Sequence, residues 1–354
     1  MNESAKLPAH MLPPLLFHPI AKARAWAPLP SESHLFRWQK PLIHGARVGE
    51  TWEVADLPDS ILDGQSRVRG GAFDGRTLRD IRTHHRDELL GIATPAADGA
   101  FPILVKFLEA ADNLSLQVHP DEAYARAHPE SHLKTEAWII IEAKPGARVY
   151  RGIRDSTSAA EFEAALAAGR ALDHVESFNV ARGDCVYLPS GTCHALGGGI
   201  LAAEVQTPSD TTFRVWDWNR ADPARPLHSE AARACMKFGA EQHDGCAGMV
   251  RFADAPIMDV GGVITRRLCR SKFFTIEWID TTAEVAIPLY DSGVPEVWMT
   301  LAGSSAWTTA SGSFNTEVGD TVLRPGRVEA GAVRLMRGSS ILRFICASPL
   351  DSAS

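Results

Sequence analysis

The chain has 354 residues, 45% of them hydrophobic and 22% charged, with a formal net charge of -7. This is the composition of an ordinary globular protein long enough for two domains, and without a basic stripe it argues against nucleic acid or an anionic membrane as partner. No stretch sustains the ~18 apolar residues of a membrane span, and the opening M-N-E-S-A-K-L-P-A-H-M-L-P-P-L-L lacks a signal-peptide core, so a cytoplasmic protein is expected. The six cysteines (Cys185, Cys193, Cys235, Cys246, Cys269, Cys346) form no C-x-x-C pair and fit free thiols in a reducing compartment.

In chain order, 77–90 (T-L-R-D-I-R-T-H-H-R-D-E-L-L) predicts a helix capped by Thr77 and ended by Gly91, with His84 and His85 on its solvated face. Strand-like L-V-K-F-L and L-S-L-Q-V follow. His128 and His132 flank Pro129 and read as solvent-facing loop residues, not as a helical metal pair. After the strand-like A-W-I-I-I-E-A, 158–168 predicts a second helix with a Ser158/Glu161 capping box. G-D-C-V-Y-L-P is a further strand, and Gly197-Gly198-Gly199 reads as a tight hairpin, with no Walker lysine after it. Short strands at this spacing argue an antiparallel β-sandwich or barrel carrying helical insertions.

Gly183-Asp184-x-Val186-x-x-Pro189 is repeated as Gly319-Asp320-x-Val322-x-x-Pro325, a pattern that resembles the cupin signature. The expected fold is therefore mainly β, two cupin-type jelly-roll barrels with small helical insertions. A catalytic domain is expected over 1–240 and a degenerate cupin without metal ligands over 241–354, with the junction in 235–262. No histidine follows His243, so only the first barrel can hold a histidine-ligated metal.

Gln117 and His119 are two residues apart, so on an extended strand they face the same way. With Glu136 and His194 from other strands they form a mixed oxygen and nitrogen donor set without thiolate. Such a set suits one Zn2+ per chain and leaves iron or manganese open. Cys193 beside His194 points to the opposite face and reads as a small buried residue. Ser115 shares the face of Gln117, and Lys134 that of Glu136. Polar side chains directed into a barrel are costly unless they bind something.

The strings L-V-K-F-L-E-A-A-D-N-L-S-L-Q-V-H-P-D (104–121), K-T-E-A-W (134–138), G-D-C-V-Y-L-P-S-G-T-C-H-A-L (183–196) and E-V-Q-T-P-S-D-T-T-F-R-V-W-D-W-N-R (204–220) resemble type I mannose-6-phosphate isomerases. The resemblance also takes in G-E-T-W-E-V-A-D (49–56) and R-P-L-H (225–228). It implies that Lys106, Ser115 and Lys134 line the phosphate end of a sugar-phosphate pocket, and that Glu204 and Arg214 sit beside the metal. Lys134, Glu204, Asp210 and Arg214 are then the catalytic candidates. Arg214 suits stabilisation of developing negative charge, since a guanidinium stays protonated. Glu204 or Asp210 could be the base, and a structural carboxylate paired with Arg214 is the alternative. Two departures stand out. Lys22 to Ala27 read K-A-R-A-W-A where the family has K-x-x-x-W-G-G, and Leu196 replaces an aromatic found in some members.

The implied reaction is zinc-dependent, reversible isomerisation of D-mannose 6-phosphate and D-fructose 6-phosphate through a cis-enediolate, by a monomer or homodimer. The step serves either glycolysis or the supply of activated mannose. Another metal-dependent cupin enzyme, an iron dioxygenase or an isomerase of unphosphorylated mannose, and a non-catalytic sugar-binding protein are the competing classes.

Overall fold

In the computed structural model, residues 11–41, 43–220, 222–242 and 244–349 are described. They form two compact units, each discontinuous in sequence. Among the described residues, one comprises 19–64 and 103–255, and the other comprises 11–18, 65–102 and 256–349. The partition differs from the expected division at 240, because the first strand and the segment carrying the first predicted helix pack with the C-terminal strands.

In the unit containing 103–255, seven antiparallel strands run in the spatial order Met249–Val250, Cys185–Leu188, Glu136–Ala143, Ile200–Gln206, Leu104–Ala110, Val48–Val54 and Ile20–Ala23. A second sheet of five orders Phe213–Trp216, Leu116–Val118, His194–Leu196, Arg148–Ile153 and Val175–Asn179. Leu108, Trp138, Ile140 and Val186 of the first sheet share one core with Val149 and Leu196 of the second. The strands of both are short and rich in Val, Ile, Leu and aromatics, as burial between two sheets favours. The other face of the five-stranded sheet packs Leu116, Val118, Cys193 and Ala195 against Phe162 and Ala232. Those two partners come from helices Ala159–Ala167 and Ser229–Cys235. The five-stranded sheet therefore has two kinds of face: one roofed by helices, the other turned to the seven-stranded sheet.

The second unit repeats the plan. An eight-stranded sheet runs from Ile257–Val260 at one edge to Leu15–His18 and Arg67–Val68 at the other, and a four-stranded sheet holds Val285–Leu289, Gly331–Leu335, Ser305–Thr309 and Gly312–Thr316. Leu15 pairs with Leu323 and Leu16 with Val322. Leu16, Trp298, Trp307, Val322 and Val333 lie in its core. The mainly β, cupin-like architecture thus appears twice, each time as two sheets about a common core.

Local expectations can be followed residue by residue. Thr77 caps helix Leu78–His84 by accepting the Asp80 N–H, but the chain breaks at His85 (φ -136°, ψ 42°) before Arg86–Leu90, so the predicted single helix is two. Gly91 follows with φ 57°, and an added Cβ there would lie 2.2 Å from the Gly293 carbonyl oxygen. The Ser158/Glu161 capping box is formed. In both G-D turns the glycine is left-handed (Gly183 φ 87°, Gly319 φ 94°) and the aspartate accepts a backbone N–H three residues back, from Ala181 and from Glu317. His84 is exposed, but His85 is half-buried edge-on to Phe73. His128 and His132 are also half-buried, not solvent-facing, and His128 stacks on Tyr124 at 4.0 Å. Among the described residues, no helix is long and apolar enough to cross a membrane, and none of the six cysteines is in a disulfide.

Candidate active site

Register places the donors. On the five-stranded sheet Arg214 lies opposite Gln117, Gln117 opposite His194, and His194 opposite Arg151, so four polar residues form one cross-strand row. On the seven-stranded sheet Trp52, Lys106, Glu204 and Trp138 form another. Cys193, one residue before His194, lies in the helix-covered core on the reverse face, as strand alternation requires.

His119, Glu136 and His194 are fully buried and offer ligand atoms that all lie within 4.8 Å of one another. Glu136 is the hub. Its Oε2 is 3.4 Å from His119 Nε2, and its Oε1 is 3.2 Å from His194 Nε2. Gln117 Nε2 approaches His194 Nε2 at 3.3 Å. Amide nitrogen and oxygen are assigned from surroundings, and a flipped amide would aim its oxygen at the same point. Each imidazole is anchored from behind: His119 Nδ1 by the Thr211 carbonyl at 3.1 Å, His194 Nδ1 by the Thr192 carbonyl at 2.8 Å. A protonated Nδ1 leaves the Nε2 lone pair directed into the cluster, the arrangement a metal-binding histidine uses. His119 Nε2 and Glu136 Oε1 are buried without a hydrogen-bond partner, while Glu136 Oε2 is held by Lys134 alone. Orphaned buried acceptors are costly, and a divalent cation would satisfy both. The residues fit a metal ion.

Around the donors lies a ladder of buried charges. Lys134 Nζ is 2.8 Å from Glu136 Oε2, and Lys106 Nζ is 3.1 Å from Glu204 Oε1 and 4.0 Å from Glu50 Oε2. Trp138 Nε1 donates to Glu204 Oε2 at 3.0 Å, and Trp52 Nε1 to Glu50 Oε2 at 3.0 Å. Arg24 Nε meets Glu50 Oε1 at 2.6 Å.

Burial pushes the proton affinity of every carboxylate up, and the neighbours decide what survives. At Glu136 the burial effect is overcome by Lys134 and the histidines, holding it well below the usual range. At Glu50 it is overcome by Arg24 and Lys106, which bring the carboxyl down to about 2. At Glu204 burial wins, assisted by repulsion from Glu136, and the carboxyl is raised. Lys134, despite burial, is raised to about 12 by Glu136 and Glu204. His119 is lowered to about 3 by burial and by Lys134.

The remaining expected residues are placed as follows. Ser115 is buried two residues before Gln117. Arg214 is half-buried, with Nη1 donating to the Pro226 carbonyl at 3.0 Å. No ion pair joins it to Glu204 or Asp210 among the described residues. Asp210 is exposed, and its charge reaches Lys22, Arg24 and Lys134. Sequence reasoning assigned no role to Lys22, Arg24, Glu50, Trp52 or Trp138, all of which belong to the ladder. The available signal was polar residues inside strands that are otherwise wholly apolar, as in E-T-W-E.

The sequence model of the family described as phosphomannose isomerase type I, catalytic domain, matches residues 16–149. The mannose-6-phosphate isomerase of Streptococcus mutans is 32% identical over 287 residues, covering 80% of this chain and 84% of that protein. That of Bacillus subtilis is 37% identical over 219 residues, 61% of this chain and 65% of its own length.

The chain belongs to the type I mannose-6-phosphate isomerases.

These are aldose–ketose isomerases, and the fold agrees. A crystal structure of the mannose 6-phosphate isomerase from Bacillus subtilis superposes with TM-score 0.79 at 25% identity, covering 94% of this chain and 99% of that one. The apo phosphomannose isomerase of Salmonella typhimurium, at 14% identity, shares the fold with TM-score 0.68. Within this isomerase family member, the K-A-R-A-W-A segment departs from the expected glycines yet supplies Lys22 and Arg24 to the charge ladder. Lys22 Nζ lies 4.1 Å over the Trp52 ring and donates to the carbonyls of Leu62 and Asp63.

Proposed function

We propose that the chain interconverts D-mannose 6-phosphate and D-fructose 6-phosphate, with zinc held by Gln117, His119, Glu136 and His194. The observation carrying this reading is the pair of buried, unpartnered acceptor atoms at His119 and Glu136, converged with Gln117 and His194 and flanked by Lys134. The donor set, oxygen and nitrogen without sulfur, supports zinc. The bound ion would supply Lewis-acid charge to the two oxygens between which the carbonyl moves.

The chain's own residues do the remaining work. Isomerisation takes a proton from C2 of the open-chain aldose and returns it to C1 through a cis-enediolate. Glu204 is the better-placed base: its proton affinity is raised, and Trp138 fixes one oxygen so that the other faces Lys106. Asp210 is exposed to solvent. Lys134 stays charged and is tied to Glu136, which supports a place at the metal end, stabilising anionic oxygen, over one at the phosphate. Arg214, in register with Gln117, adds fixed positive charge. Lys106 and Ser115 would meet the sugar hydroxyls between the reacting carbons and the phosphate. Six cysteines without a disulfide support a cytoplasmic setting.

The test is a coupled assay of mannose 6-phosphate conversion on chelator-stripped protein restored with zinc, beside His119→Ala. Turnover that disappears on stripping, returns with zinc and is absent in the variant is the expected result. A folded, metal-loaded protein without turnover would overturn the reading.

A further inference from the structure

The interior ammonium groups are already matched: Lys134 touches Glu136 and Lys106 touches Glu204, with Glu50 beyond. A phosphate dianion entering that region would meet cations whose charge is largely spent on carboxylates. The mouth is different. Arg24, just past the strand Ile20–Ala23, has its Nε on Glu50 and its Nη1 on the Ala23 carbonyl at 3.1 Å. Among the described residues, no group accepts from its Nη2. The side chain is 31% exposed and lines an open pocket with Arg47 and with Ala23, Ala25 and Ala46, whose small side chains leave space beside the guanidinium. The positive charge of Arg24 is also felt at Arg214 and Arg225. Arg225 is held by Asp217 at 2.8 Å, so Arg24 and Arg214 are the cations of this group without a bidentate carboxylate.

Resting on the isomerase reading above, we infer that Arg24 is a specificity-determining residue that binds the phosphate of the substrate. Glu50 grips one edge of the guanidinium and fixes its plane, and the other edge presents N–H groups to the phosphate oxygens, the forked geometry in which arginine exceeds lysine. Arg24 occupies one of the unconstrained positions of the K-x-x-x-W-G-G pattern. Gly49 makes room for it, because a Cβ at that position would lie 2.8 Å from Arg24 Cβ.

The experiment uses zinc-restored full-length protein and two readouts: steady-state kinetics on mannose 6-phosphate, and calorimetric titration with inorganic phosphate, which needs no turnover. Arg24→Gln is expected to raise both KM and the phosphate dissociation constant about tenfold or more, with kcat changed less than KM. Arg24→Lys should fall between. Because Arg24→Gln strands the Glu50 carboxylate, the double variant Arg24→Gln/Glu50→Gln removes both partners and should keep the same weakening. Unchanged phosphate affinity and KM in Arg24→Gln, or their recovery in the double variant, would overturn the inference and leave Arg24 as a mere counter-ion. A wild type that binds phosphate through Arg24 yet turns nothing over would sink the reaction and not the anion site.

Discussion

The Lys134 ammonium lies 2.8 Å from the same Glu136 oxygen that faces His119 Nε2. One carboxylate thus serves a fixed cation of the chain and the candidate metal centre at once. Without metal, Lys134 is the main compensation for a buried carboxylate. With metal bound, the two cations repel each other.

Lys134→Met is therefore expected to act differently on the two forms. The stripped protein should lose roughly 3–5 kcal/mol, as when one partner of a buried pair is removed, while the zinc-loaded protein loses less and zinc binds at least as tightly. Calorimetric melting with and without zinc reads the difference. Equal losses in both forms would refute this account of Glu136.

Glu204→Gln separates function from stability. Burial raises the Glu204 carboxyl, and a group whose folded value exceeds its unfolded one contributes less stability as pH rises past the unfolded value. The amide removes that cost at neutral pH and still accepts from Trp138 Nε1. The melting temperature should hold or rise while kcat falls at least about tenfold, the usual scale of acid–base catalysis being larger. A protein that melts several degrees lower and still turns over normally would assign Glu204 a structural role instead.

Glu50 gives the acid limb of the stability profile. Its folded value is about 2 against 4.5 for the free group, so its contribution is fully present above 4.5 and is lost as pH falls toward 2. At most roughly 3 kcal/mol is involved. Denaturant melts across that window should show a shallower slope for Glu50→Gln than for the parent, and identical slopes would contradict the assignment.

What could be read ahead of the structure was local. The Thr77 cap, the Ser158/Glu161 box and the paired G-D turns each depend on residues within a few positions. Gln117 and His119 were legible because strand alternation fixes their common side. The break at His85 was not, since no proline or glycine marks it. Glu50, Trp52 and Trp138 escaped notice because their meeting depends on the register Trp52–Lys106–Glu204–Trp138, set by strands some 150 residues apart in total span. The unit boundaries escaped for the same reason: no local pattern says that 65–102 packs with strands from the far end of the chain.

The pairing of Leu15 with Leu323 has a temporal meaning. At about 5–20 residues per second, the strand Leu15–His18 waits roughly 15 to 60 s for Leu323 to be made. Until then its buried Leu15, Leu16 and Phe17 have only the two-residue strand Arg67–Val68 to pair with. The unit holding the candidate site needs nothing beyond Ala255, so it can fold while the strands that complete the other are still being made.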